Sequence, residues 1–306
     1  MSLTALEPFR IRQGLDIFVV PNFLSDELNT PDPASLQSSL ETNYPVRRAG
    51  EAIVPGVVQW VEGSNEALRY RGNPLKRTKI WAQRGNPEKD GYPYYYYTGV
   101  QWEVVPAQVG WDHIPEVKQL VPYYDAFCEK VGALQSNQVI VTAYRNGDHN
   151  IGAHFDKPKS IAPSSDQGAS LITVVKMGEY GRPFDLYMLD DETPFWSEVV
   201  APGTAIIMTL EANLQTKHAV PVVEGACGNS GSLVFRSIAT ILTSESVWKK
   251  VRASRHTKKR SREKKEIEKK RSMGSNEAIR GTKAVRKPKD MWESCKTFEE
   301  FFELLK

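Results

Sequence analysis

The sequence predicts a mainly β fold with covering helices, α+β in class, extended by a basic helical C-terminal arm. Three observations predict it. From residue 138 onward, seven short runs rich in β-branched and aromatic residues follow one another without intervening helices. That texture belongs to an antiparallel sandwich or barrel. Upstream, residues 115–132 carry helical spacing suited to covering one face of such a sheet. Beyond Trp248 the charge changes sign: residues 249–289 hold 18 Lys or Arg against 4 Glu, a net of +14, while the remaining chain nets −11.

In chain order, PNFLSDEL (21–28) reads as a strand running into a helix capped at Ser25, with acidic residues in the first turn. Residues 30–78 are rich in Pro, Gly, Asn and Ser and resolve into no element. PEVKQLVPYYDAFCEKVG (115–132) predicts a helix interrupted or kinked at Pro122. QVIVTAY, SLITVVKMG, FDLYML, WSEVVA, TAIIMTL, KHAVPVV and SLVFRSIATIL are the seven strand runs, punctuated by Gly, Pro, Asn and Asp. In the arm, KKRSREKKEIEKKR (258–271) has helix-forming composition and no apolar stripe. DMWESCKTFEEFFELLK sets Trp292, Cys295, Phe298, Phe301, Phe302 and Leu305 on one helical face, with Asp290 as its cap. The expected organisation is therefore one domain over 1–247, divided into a helical and lid part (1–136) and a β core (137–247). A basic arm (248–289), partly helical or disordered, and an amphipathic helix (290–306) follow.

Composition excludes several classes. Of 306 residues 40% are hydrophobic and 25% charged, which supplies a real core and rules out wholesale disorder. No apolar run approaches the ~20 residues a membrane-spanning helix needs. The N-terminal MSLTALEPFRIRQGLD carries charges where a secretory signal needs an apolar stretch. Cys128, Cys227 and Cys295 are odd in number and far apart, giving neither a disulfide framework nor a CxxC zinc pattern. An intracellular, monomeric protein is expected, nucleus and cytoplasm not being distinguished. Phosphate-binding loops, dinucleotide fingerprints, nucleophile elbows and HExxH helices are all missing from the sequence.

Chemistry concentrates in AYRNGDHNIGAHFDKPKS and QTKHAVPVV. On an extended strand His154 and Asp156 point the same way. His218 lies in another predicted strand. Two imidazoles and one carboxylate converging inside a barrel make the facial triad that binds non-haem Fe(II), leaving positions open for co-substrate and O2. Arg236, the only arginine between Arg182 and Arg252, interrupts the apolar run SLVFRSIATIL. Pointing inward it needs an anion, which a dicarboxylate supplies in bidentate fashion. Otherwise it faces solvent or pairs with a local carboxylate.

Over residues 15–243 the sequence resembles the 2-oxoglutarate/Fe(II) dioxygenases, specifically their AlkB-like branch. YRNGDHNIGAHFDK is similar to that branch's Tyr-x-x-Gly-x-Asx-x-Ile-x-x-His-x-Asp signature. The segment LKRTKIWAQRGNPEKDGYPYYYYTG resembles its Arg-then-Tyr-x-Tyr-[Ser/Thr]-Gly stretch, with Tyr95 and Tyr97 at the paired tyrosines. PGTAIIM and KHAVP match the following strand and the distal His motif. The resemblance implies a double-stranded β-helix (jelly-roll) core with Fe(II) on His154, Asp156 and His218. It also implies Tyr144 and Arg236 as 2-oxoglutarate contacts, O2 as oxidant, and oxidation or demethylation of a nucleobase as the activity. Trp81, Tyr95 and Tyr97 become candidates for stacking on a base, with Tyr92, Tyr94 and Tyr96 beside them.

Two departures stand out. The branch ends in Arg-x-x-x-x-x-Arg, and here only Arg236 is present: one register puts Ser230 at the first arginine, the other puts Leu242 at the second. An asparagine two residues before the tyrosine is Thr142. The basic arm favours nucleic acid as partner through sequence-independent phosphate contacts. The cluster of Lys76, Arg77, Lys79 and Arg84 adds local positive charge on the main domain. Hydroxylation of a protein side chain or metabolite, and a catalytically inactive nucleic-acid-binding module, are the alternative readings.

Overall fold

The computed structural model describes residues 8–47, 57–62, 69–70, 73–74, 76–93, 109–224 and 228–242. Tyr94 to Tyr97, the basic arm and the helix expected at 290–306 lie outside the described residues. In chain order the main elements begin with β1 (Ile17–Val20), α1 (Pro33–Asn43), β2 (Trp60–Glu62) and β3 (Thr78–Gln83). Next come α2 (Pro115–Lys118), α3 (Val121–Lys130), β4 (Gln138–Tyr144) and β5 (Ile151–His154). The rest are β6 (Leu171–Gly178), β7 (Arg182–Met188), β8 (Trp196–Val200), β9 (Ala205–Thr209), β10 (Thr216–Val220) and β11 (Ser230–Arg236). Each of the seven runs read from the sequence overlaps one of these strands.

Two sheets result. The larger runs β1–β9–β6–β11–β4–β3–β2, flanked by two-residue strands, and the smaller runs β5–β10–β7–β8. The pairings between these labelled strands are antiparallel. Alternation along β6 explains the layers. Leu171, Val175 and Met177 join the cluster under the helices, whereas Ile172 and Val174 pack against Phe184, Leu186 and Val220 of the smaller sheet. Helices thus cover one face of the larger sheet and the smaller sheet covers the other, as the mainly β reading anticipates.

The helical layer corrects two local expectations. PNFLSDEL is not a strand entering a helix: the strand is β1, just before it, and Asp26–Leu28 is a single 3-10 turn ended by Asn29 in the left-handed region. Ser25 makes no side-chain cap there. The helix lies further on, in the stretch that composition left unassigned. Asp32 Oδ2 accepts the Ser35 N–H at 2.8 Å and Pro33 takes the first helical position, where its missing N–H costs nothing. Of the interruption or kink expected at Pro122, the structure shows an interruption, at Gln119–Leu120, because the ring needs a first-turn position in α3.

Packing then holds the layer in place. Tyr124 stacks on Phe235 with ring centroids 4.2 Å apart and donates its hydroxyl to Thr173 Oγ1. Phe127 meets Phe23 edge-on at 5.2 Å. Burying a ring of this size contributes about 2 kcal/mol. Glu116 ties α2 to α1, accepting hydrogen bonds from Ser39, Asn43 and Tyr44.

Candidate metal centre

Among the described residues β5 is an edge strand of the smaller sheet and pairs only with β10, placing His154 directly opposite His218. A register shift between Ile151 and His154 turns the strand end toward the space between the sheets. The imidazole centroids stand 4.3 Å apart. Strand alternation does not bring in Asp156, contrary to the sequence reading, because β5 ends at His154. Asn213, fully buried, does so instead. Its Oδ1 accepts the Asp156 N–H at 2.8 Å and its Nδ2 donates to the Asp156 carbonyl at 2.9 Å. One ligand atom from each of His154, Asp156 and His218 falls within 4.8 Å of the other two.

These three side chains form a facial triad. Against known proteins, no family model and no curated protein matches the sequence. Solved structures do. OsALKBH1 aligns with 76% of this chain and 100% of its own, at 15% identity and a TM-score of 0.44. A 2OG-Fe(II) oxygenase-family oxidoreductase from Burkholderia pseudomallei aligns with 74% of this chain and 92% of its own, at 14% identity and a TM-score of 0.40.

The donor set fits Fe(II). Burial, followed by the neighbouring His218, holds the His154 imidazole well below its ordinary pKa. Burial likewise lowers His218, with Arg236 adding to it and Asp156 opposing. Both rings are therefore neutral and able to ligate near pH 7. His154 Nδ1 lies 2.9 Å from the Gly152 carbonyl, which assigns the proton to Nδ1 and leaves Nε2 as the donor. Two neutral imidazoles and one carboxylate match the ligand preference of non-haem Fe(II).

Arg236 lies beside the triad, buried, its Nη1 donating to Asp156 Oδ2 at 3.0 Å. Tyr144, at the far end of β4, is buried opposite Ser230 and hydrogen-bonds Ser232. Burial pushes its phenol up, so it stays neutral. The Arg182 guanidinium sits 5.1 Å from the Tyr144 ring and donates to the carbonyls of Asn146, Gly147 and His149, pinning the turn that leads into β5. Arg77 Nη1 adds a bond to the Asn150 carbonyl.

Other candidates fall elsewhere. Trp81 is 2% exposed, midway along β3 opposite Ile140. Of the cationic cluster at residues 76–84, Lys76 is exposed but its neighbours are not free surface charges. Arg77 and Lys79 are buried, and burial with Arg77 and Arg236 nearby holds the Lys79 amine well below its usual pKa. Arg84 pairs with Asp125 at 2.6 Å. Arg77, just before β3, and Lys79 within it are two residues apart and so turn inward on the same side. Sequence reasoning missed Asn213, which carries no signal in sequence. It also missed Lys176 and Arg182, although Lys176 interrupts SLITVVKMG as conspicuously as Arg236 interrupts its own run.

Proposed function

We propose that this chain is an Fe(II)- and 2-oxoglutarate-dependent oxygenase that oxidises a modified nucleobase. The convergence of His154, Asp156 and His218 within 4.8 Å carries the oxygenase part of the reading. When bound, iron and 2-oxoglutarate supply O2 activation, with succinate and CO2 formed as one oxygen atom enters a substrate C–H bond. The chain's own work is positioning. His154 presents Nε2 because Gly152 holds Nδ1, and Asp156 is fixed through its backbone by Asn213 and through its carboxylate by Arg236. Burial of Asp156, His218 and Arg236 between the two sheets strengthens the interactions that these side chains make.

The +14 arm supports nucleic acid as substrate, since phosphate contacts give affinity without sequence preference. The inward turn of Arg77 and Lys79 favours a second reading, hydroxylation of a protein side chain or metabolite, because it removes positive charge from the domain's outer surface. Succinate release with added Fe(II), with and without methylated single-stranded DNA and RNA oligonucleotides, tests both. Stimulation by one oligonucleotide supports nucleobase oxidation. Unstimulated turnover that disappears in His154→Ala moves the substrate to the second class, and no succinate at all defeats the oxygenase reading.

A further inference from the structure

The three ligands are not held alike. Asp156 has Asn213 and Arg236, and His154 has the Gly152 carbonyl. His218 has no such partner: its Nδ1 is buried and makes no hydrogen bond among the described residues. A ligating imidazole ordinarily gives its second nitrogen to an acceptor, which fixes how the ring is turned. Something else must therefore set the His218 plane.

The strand register supplies it. Leu186 of β7 stands opposite His218 of β10, and Phe184, on the same face of β7, is the diagonal neighbour of His218. The Phe184 ring lies parallel to the imidazole, with planes 7° apart and centroids 5.7 Å apart. An offset stack of this kind is a geometry that aromatic pairs prefer. Phe184 is itself held firmly, 1% exposed and packed in the cluster that contains Leu186, Val220 and Ile172. Turning the imidazole about its Cβ–Cγ bond would drive one ring edge toward the phenyl face. The stack thus restricts the torsion that a hydrogen bond would otherwise fix.

That torsion matters because the lone pair of a ring nitrogen lies in the plane of the ring. The His154 and His218 planes are inclined at 53°, with centroids 4.3 Å apart. Lone pairs from two inclined rings converge on one point only if both planes are held. Gly152 holds the first. A metal also draws electron density out of a bound imidazole, and an electron-poor ring lies more favourably over the negative face of a phenyl. Stacking and metal binding then reinforce each other.

Resting on the metal-centre reading, we infer that Phe184 is the positioning residue for His218: its ring, in place of a hydrogen bond, sets the plane in which that imidazole meets iron.

The test reads metal binding, not turnover. Full-length protein is titrated with Co(II), and the ring N–H signals shifted by the bound ion are followed by proton NMR. Wild type should show two such signals, one from each ligating histidine. Phe184→Leu keeps the position apolar but removes the flat partner. It should weaken Co(II) about 10-fold, as loss of a ligand's outer partner does, and move or broaden one signal while the other stays. Leu186→Val, which trims the residue registered opposite His218, should leave Co(II) affinity within twofold and both signals in place. Co(II) affinity unchanged in Phe184→Leu overturns the assignment, and so does an equal loss in Leu186→Val, which would make the effect one of packing alone. A measurement on wild type needs no variant to fold: with Zn(II) bound, the ring protons of Phe184 and His218 should show a nuclear Overhauser effect, and its absence overturns the assignment too. Wild type that binds neither Co(II) nor Zn(II) sinks the metal-centre reading itself.

Discussion

Arg236 Nη1 donates to Asp156 Oδ2 across 3.0 Å, with both side chains almost entirely removed from water. The guanidinium therefore does two jobs: it compensates a buried carboxylate and fixes that carboxylate's orientation toward the two imidazoles. Arg236→Met leaves the charge of Asp156 stranded in metal-free protein. Removal of one partner from a buried pair costs about 3–5 kcal/mol. Urea denaturation with chelator present should register that loss, and Arg236→Met combined with Asp156→Asn should recover a large part of it. A change below about 1 kcal/mol in the single variant would show that the pair contributes little. Co(II) affinity should fall too, since the local carboxylate that the sequence offered as an alternative partner for Arg236 is the ligand Asp156.

Lys176 makes stability pH-dependent in a definite direction. Burial, then the Arg182 guanidinium, lowers its ammonium from 10.5 to about 7. Facing it are Arg182 and the Tyr144 ring, the latter neutral throughout because burial raises its phenol. Between pH 7 and 10.5 the unfolded chain holds the extra proton, so stability rises with pH across that window. A cost of roughly 5 kcal/mol is fully present below the lower value and relieved above the upper. Lys176→Met should accordingly be more stable than wild type at pH 7 by several kcal/mol, the gap closing toward pH 10.

Glu116 works with the opposite sign. Burial raises its carboxyl, but hydrogen bonds from Ser39, its own backbone, Asn43 and Tyr44 together outweigh that and leave it below the ordinary 4.5. A depressed carboxylate stabilises above the unfolded value and loses that contribution as pH falls through the folded one. Glu116→Gln should flatten the acid limb of the stability curve below about pH 4.5 and cost about 1–2 kcal/mol at neutral pH. Co(II) binding should be unaffected, because α1 and α2 lie on the face of the larger sheet away from the triad. Altered metal affinity would mean the helical layer shapes the site.

Truncation after Trp248 removes the +14 arm and leaves the triad intact. Binding of Co(II) and 2-oxoglutarate should be preserved. Affinity for single-stranded oligonucleotides should drop, and the dependence of log K on log salt should become shallower by several units. An unchanged slope would place the phosphate contacts on the main domain.

Much of this arrangement is legible in the residues, for identifiable reasons. The strands advertise themselves because β-branched runs such as QVIVTAY and TAIIMTL fit one secondary structure and end at turn formers. α1 does not: PASLQSSLETN buries little beyond Leu36, Gln37 and Leu40, so its apolar stripe is too thin to stand out. His154 and His218 are visible as strand residues, but their facing each other is set by the register of β5 against β10, a long-range property. Asp156 was placed correctly for an incomplete reason, since Asn213, not strand geometry, carries it to the site. A lone cation in an apolar run found Arg236. Applied again to β6, the same signal points at Lys176.

The position of β5 has a further effect on how the protein must be handled. It is four residues long, sits on an open sheet edge, and one of its two registered contacts with β10 is the histidine pair itself. A metal held by His154 and His218 would therefore act as a clasp across that edge as well as a reaction centre. Stripping it would unfasten the strand and expose backbone hydrogen-bonding groups that another extended chain could capture. Self-association of chelated preparations would then begin at the iron site, and the same ion that equips the pocket for oxidation would keep the protein in solution.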